Sequence, residues 1–126
     1  MILLDTSVLV DGLCGPRRSA PALRRAIHRG ERLVVPTLVL YEWWRGPRLP
    51  EELAAQEALF PRESSVAFGQ DEAARAAELY REVPRGRGRE IDVAIAACAL
   101  CWDARLWTLN VADFVDIPNL AVERPR

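Results

Sequence analysis

Four acids lie far apart along the chain, yet each has the same kind of local setting. Asp5 ends the apolar run Ile2-Leu3-Leu4. Glu42 stands four residues after Leu38 and three after Val39, so all three share a helical face. Asp92 opens the longest helical pattern, and Asp113 follows the apolar run at Leu106-Trp107-Thr108. A carboxylate on an inward stripe is costly unless it is paired or bound to a metal. Several carboxylates brought together without His or Cys are the donor set of a hard divalent cation such as Mg²⁺. Such an ion can activate a water and neutralise charge on a phosphoryl group. Each acid also has a local explanation. Asp5 or Thr6 can cap the next helix, Glu42 can reach solvent from the stripe edge, and Asp92 suits the positive end of a helix.

To be neighbours, these residues need a fold that gathers separated segments. Residues 2–5 read as a buried strand, because an apolar run without alternation suits a sheet covered on both faces. Residues 6–13 read as a short helix stopped by Gly15-Pro16, and Ser19 can cap a second helix ending at Gly30. Residues 33–35 read as a second strand, followed by a helix over 36–45 with Pro36 at its start. Further helices are predicted over 51–60, 71–83 and 90–102, and further strands over 65–68, 106–108 and 120–122, the last at an edge. Ile91, Ile95, Cys98 and Trp102 form the apolar stripe of the 90–102 helix. Alternating strands and helices predict an α/β fold, a parallel sheet of four to five strands flanked by helices, in one domain spanning 1–126. In such sheets ligands bind at the carboxyl ends of the strands, where Asp5 falls.

Composition narrows the functional classes. Half the residues are hydrophobic, so the chain is globular. The net charge of -1 supplies no global field for nucleic acid, and any such contact must use a local patch. All 17 basic residues are Arg, the better bidentate ligand for phosphate. Arg85, Arg87 and Arg89 precede Asp92 in a Gly- and Pro-containing loop, where they can bind flanking phosphates or simply be solvated. Three cysteines, an odd number, imply no disulfide framework. Cys98 and Cys101 have the spacing of a redox pair, but they lie deep in a helical run rather than at a helix start. His28, the only histidine, sits among arginines and reads as a surface residue. No apolar stretch approaches a membrane span and no basic-flanked leader is evident, so a cytoplasmic protein is expected. Trp43 and Trp44 are adjacent, so one helical stripe cannot bury both; one can face a partner, or one can be core and the other partly exposed.

The segments Leu3-Leu4-Asp5-Thr6-Ser7-Val8, Glu42 with Arg45-Gly46, Asp92-Val93-Ala94-Ile95-Ala96-Ala97, and Thr108-Leu109-Asn110-Val111-Ala112-Asp113-Phe114 occur in an order that resembles PIN-domain proteins. The likeness is strongest to the VapC-type toxin ribonucleases of bacterial toxin–antitoxin pairs and spans nearly the whole chain. It implies a PIN-like three-layer sandwich and a metal-dependent endoribonuclease, commonly a homodimer, inhibited by a small antitoxin. By the same resemblance Asp5 and Asp92 hold Mg²⁺, with Mn²⁺ an alternative. Glu42 completes the site and helps orient the attacking water. The family places its fourth acid at the position of either Asn110 or Asp113. Asn110 is neutral here, so the charge is assigned to Asp113, with Asn110 or Thr6 positioning it and lying toward the substrate. Tyr41, Trp43 and Trp44 flank Glu42 where smaller or aliphatic residues are usual. Two other functions fit the same pattern: an RNA-processing nuclease without an antitoxin, and a PIN-like binding module without catalysis.

Overall fold

A computed structural model describes residues 1–126. Strand β1 (Ile2–Leu4) leads into α1 (Thr6–Leu13) and α2 (Ala20–His28). Then come β2 (Leu33–Val34), α3 (Thr37–Arg45), α4 (Pro50–Leu59), α5 (Gln70–Glu82) and α6 (Glu90–Cys101). Strands β3 (Arg105–Trp107) and β4 (Val122–Glu123) complete the chain, separated by a 3₁₀ turn at Val111–Asp113. The four strands form one parallel sheet in the order β2-β1-β3-β4. Ile2, Leu3 and Leu4 have no exposed surface, as a central strand covered on both faces requires.

The order places β1 in the middle. From β1 the chain first moves outward to β2, then returns past β1 to β3 and on to β4. The direction of winding therefore reverses between β1 and β3, and a crevice opens outside their carboxyl ends. Asp5 and Thr108 stand directly after these two strands, and the Asp5 amide donates to the Trp107 carbonyl at 2.9 Å.

Two strand predictions change. Residues 65–68 contribute only a single parallel bridge, Pro36 to Val66, beyond β2. Val66 donates to the Val35 carbonyl and accepts from the Thr37 amide. The ladder stops there because Pro36 has no N–H to give and α3 begins at Thr37. The sheet thus has four strands, with Val66 occupying a fifth place by one residue. The last strand falls at Val122–Glu123 instead of 120–122, after a turn closed by Asn119 in the left-handed region at φ 64°. It is an edge strand, as the pattern predicts.

Helix α6 departs from a simple stripe. Val93 through Ala99 are all buried, because four alanines among them let neighbours close in from every side. Trp102, predicted to continue the stripe, lies past the helix end and is 44% exposed. No helix is long and apolar enough to cross a membrane.

Candidate active site at the carboxyl edge of the sheet

Asp5 occupies the cap position of α1, yet its side chain makes no capping bond. The carboxylate turns instead across the strand ends. Its Oδ2 accepts from Ser7 Oγ at 3.0 Å and from Thr108 Oγ1 at 2.7 Å. Ser7 Oγ also receives the Leu109 amide, and Thr108 Oγ1 receives the Asn110 amide, both at 3.0 Å. Asp5 is 5% exposed, so this charge is held in a largely water-free place by hydroxyl donors. Helix capping therefore does not explain it. Ser7 and Thr108 are positioning residues that the acid pattern alone did not single out. Their signal was chemical: a hydroxyl two residues after Asp5, and another at the end of the strand paired with β1.

Helix α3 carries Glu42 on the edge of its buried face, beside buried Val39 and half-buried Leu38. Thr6 Oγ1 donates to Glu42 Oε1 at 2.5 Å, and Arg45 Nη2 lies 3.4 Å from Oε2. Thr6 thus positions Glu42, not Asp113. Asp92 lies in the first turn of α6. Its pKa is raised to about 6, first by burial and then by the negative charges of Asp5, Asp113 and Glu42, with Arg89 opposing. The charges of acids separated by up to 108 positions in the chain (113 − 5) thus act on Asp92. Asp113 is exposed at the end of the 3₁₀ turn, and Asn110 is exposed at its start.

Of the three loop arginines, Arg85 and Arg87 are exposed. Arg89 is occupied: its guanidinium grips both oxygens of Asp116 at 2.7 and 2.8 Å and donates to the Asp113 carbonyl at 2.8 Å. It ties the turn bearing Asp113 to the start of α6, and this places it as a clamp on the site instead of a free phosphate ligand.

The donor set fits a hard divalent cation. It is all oxygen, and burial together with the neighbouring negative charges raises the proton affinity of Asp92, a cost that a bound cation would offset. No three His, Cys, Asp or Glu side chains close into a metal-holding group. Mg²⁺ does not require one, because it commonly binds through one or two carboxylates and keeps its waters.

The proton affinity of Asp92 has a measurable consequence. A free aspartate in the unfolded chain ionises near pH 4, about two units below the folded value. Between these values the folded state binds more protons, so stability falls as pH rises through that window and stays lowered above it. The full shift corresponds to roughly 3 kcal/mol, cut to about 1–2 kcal/mol by the solvent that reaches this half-buried group. In chelator, urea unfolding is expected to show Asp92→Asn more stable than the parent by that amount above about pH 7 and nearly equal to it near pH 4. A difference that does not change with pH removes the assignment.

The thiol alternative fails because burial disfavours the thiolate. Cys98 is buried with its pKa pushed up to about 12 by burial, and the Cys101 thiol is also raised, so neither is a ready nucleophile. His28 is exposed among arginines, as expected.

Comparison with known proteins agrees with this geometry. The PIN domain sequence profile matches residues 2–112. Ribonuclease VapC19 of Mycobacterium tuberculosis is 38% identical over 123 residues, covering 95% of this chain and 97% of that protein. A toxin–antitoxin complex from Klebsiella pneumoniae superposes with a TM-score of 0.72 at 25% identity, covering 100% of this chain and 98% of that one. DNA-bound VapBC from Salmonella typhimurium gives a TM-score of 0.77 at 20% identity over 99% and 98% of the two chains. The order of the acids, the parallel sheet that gathers them and these likenesses have one explanation: the chain belongs to the PIN-domain family.

Proposed function

We propose that this protein is a divalent-metal-dependent endoribonuclease and the toxin of a toxin–antitoxin pair. The observation that supports the proposal is the placement of Asp5, held by Ser7 and Thr108, and of Glu42, held by Thr6, at the carboxyl edge of the sheet, with Asp92 in the first turn of α6 near enough to feel their charges. The 38% identity to Ribonuclease VapC19 supports RNA as the substrate class. Asp5 and Asp92 would hold Mg²⁺ or Mn²⁺, which when bound supplies an activated water and neutralises charge on the phosphodiester. Ser7 and Thr108 fix the Asp5 carboxylate so that it need not reorganise. Glu42, steadied by Thr6 and Arg45, accepts hydrogen bonds from the attacking water and orients it. Asp113 adds negative charge on the open side, with Asn110 beside it toward the substrate. Arg85 and Arg87 are free to touch flanking phosphates. Antitoxin-free protein and a labelled RNA, with and without Mg²⁺ or Mn²⁺, test the proposal: cleavage must require the metal.

The fold offers the antitoxin a seat. A groove of about 250 Å³ runs between α1, α2 and α4, lined by Leu13, Leu23, Ile27, Ala55, Leu59 and Phe60. Ile27 and Leu59 are 45% and 51% exposed, and Arg17, Arg24 and Glu51 rim the groove. An apolar groove with a charged rim accepts the apolar face of an amphipathic helix. Ile27→Asp is expected to weaken antitoxin binding by about a hundredfold, while cleavage by the free toxin is retained. Calorimetric titration with the antitoxin checks this, and unchanged affinity would move the partner to another face.

A further inference from the structure

The positive charge of this chain is unevenly used. Arg45, Arg62, Arg75, Arg89, Arg105 and Arg126 are ion-paired. Arg17, Arg18, Arg24, Arg25, Arg29 and Arg32 are not, and all six are exposed on α2 or its flanks. Between residues 12 and 41 the only acid is Glu31, already held by Arg105 at 2.8 Å. A chain of net charge -1 therefore carries one strongly cationic face, free of internal partners.

That face reaches the segment after β3, which is hydrogen-bonded to the acidic site. One cleft of about 280 Å³ is lined by Arg18 and Arg25 on one side and by Leu109, Arg124 and Pro125 on the other. Asp11 also lines it and accepts from Ser19 Oγ at 2.6 Å; its single negative charge is outnumbered by the three arginines of the cleft. Arg124 Nη1 donates to the Leu109 carbonyl at 2.8 Å, and the Leu109 amide donates to Ser7 Oγ, which in turn donates to Asp5. Leu109, which lines the cleft, is thus two hydrogen bonds from the Asp5 carboxylate. Arg25 continues into an open depression shared with Arg24, His28 and Arg29. Arg25 and Arg29 are four apart on a helix and stack on one face.

We propose that Arg18, Arg25 and Arg29, with Arg124 at the head, form a track for the phosphate backbone of the RNA as it leaves the cleavage site. This rests on the nuclease proposal above. Guanidinium groups in a row grip successive phosphates without reading bases, so the track supplies affinity and direction, and base choice comes from elsewhere. Arg17 and Arg24 also rim the apolar groove and are left out of the test.

The test compares the R18A/R25A/R29A variant with the parent on an RNA of about 20 nucleotides and on a tetranucleotide containing the same cleaved bond. For the long RNA, kcat/KM is expected to fall at least about tenfold at low salt, and the log–log salt slope to become shallower by roughly 2, at about 0.7 per lost single-strand phosphate contact. For the tetranucleotide kcat/KM is expected to stay unchanged. Equal loss on both substrates, or no loss on either, overturns the track. So does a variant that cleaves long RNA normally but no longer binds the antitoxin, which would make the face a protein contact. If the parent protein cleaves neither RNA, the nuclease proposal has failed. Fluorescence anisotropy of the labelled long RNA on metal-free protein then judges the track alone: loss of binding in the variant supports it, and equal binding overturns it.

Discussion

Asp92→Asn is expected to lower kcat on RNA by at least about a thousandfold, equivalent to roughly 4 kcal/mol of transition-state stabilisation. The substitution keeps the size and shape of the side chain but removes one of the charges that would hold the cation. It also removes a group whose ionisation is opposed, first by burial and then by the charges of Asp5, Asp113 and Glu42. The loss of activity therefore comes with an intact fold, and unfolding measurements separate a dead site from a broken protein. Excess metal is not expected to restore the rate, because the missing charge cannot be supplied from solution. Undiminished cleavage by an antitoxin-free preparation of the variant would end the assignment of Asp92 and, with it, the metal site.

The second large effect is on stability. Trp43 has no exposed surface, although it stands next to the site acid Glu42. Arg48 covers its ring with the guanidinium carbon 4.3 Å from the ring centre and donates from Nε to its carbonyl at 3.0 Å. Trp43→Ala is expected to cost about 3–5 kcal/mol, as truncation of a buried large aromatic does, and to lower the melting temperature by roughly 15 °C. Trp44, 41% exposed, lies under Arg62 and donates to Gln56 Oε1 at 3.2 Å. Trp44→Ala is expected to cost at most about 2 kcal/mol, mainly through the orphaned amide oxygen of buried Gln56. Thermal melts of the two variants decide between them; equal costs would contradict the division of roles. The adjacent tryptophans thus divide as core and surface, one of the two arrangements that adjacency allowed.

Much of this protein was determined by sequence alone. Apolar runs without alternation specify strands buried on both faces, and they locate β1 and β3 well because the central strands have little freedom to be anything else. Acids placed at the ends of those runs and in first helical turns locate the candidate site, since carboxyl ends of parallel strands point to one edge. The weak points of the pattern are at the sheet margins. Residues 65–68 have strand-like composition, but pairing depends on what lies alongside, and Pro36 followed at once by α3 leaves only one residue to pair.

Tertiary structure alone decided how the site is held. Ser7 and Thr108 are 101 positions apart, and their shared grip on Asp5 exists only because β1 and β3 are neighbours in the sheet. Thr6 reaches Glu42, not Asp113, because α1 and α3 pack together. Arg89 looks like one of three equivalent loop arginines until Asp116 is found within 2.7 Å of it. Hydrogen-bond partners distant in sequence leave no periodic trace, because the bond constrains positions in space and not spacing along the chain. Local pattern therefore reveals which residues carry charge and where strands end, while three-dimensional packing selects which donor meets which acceptor.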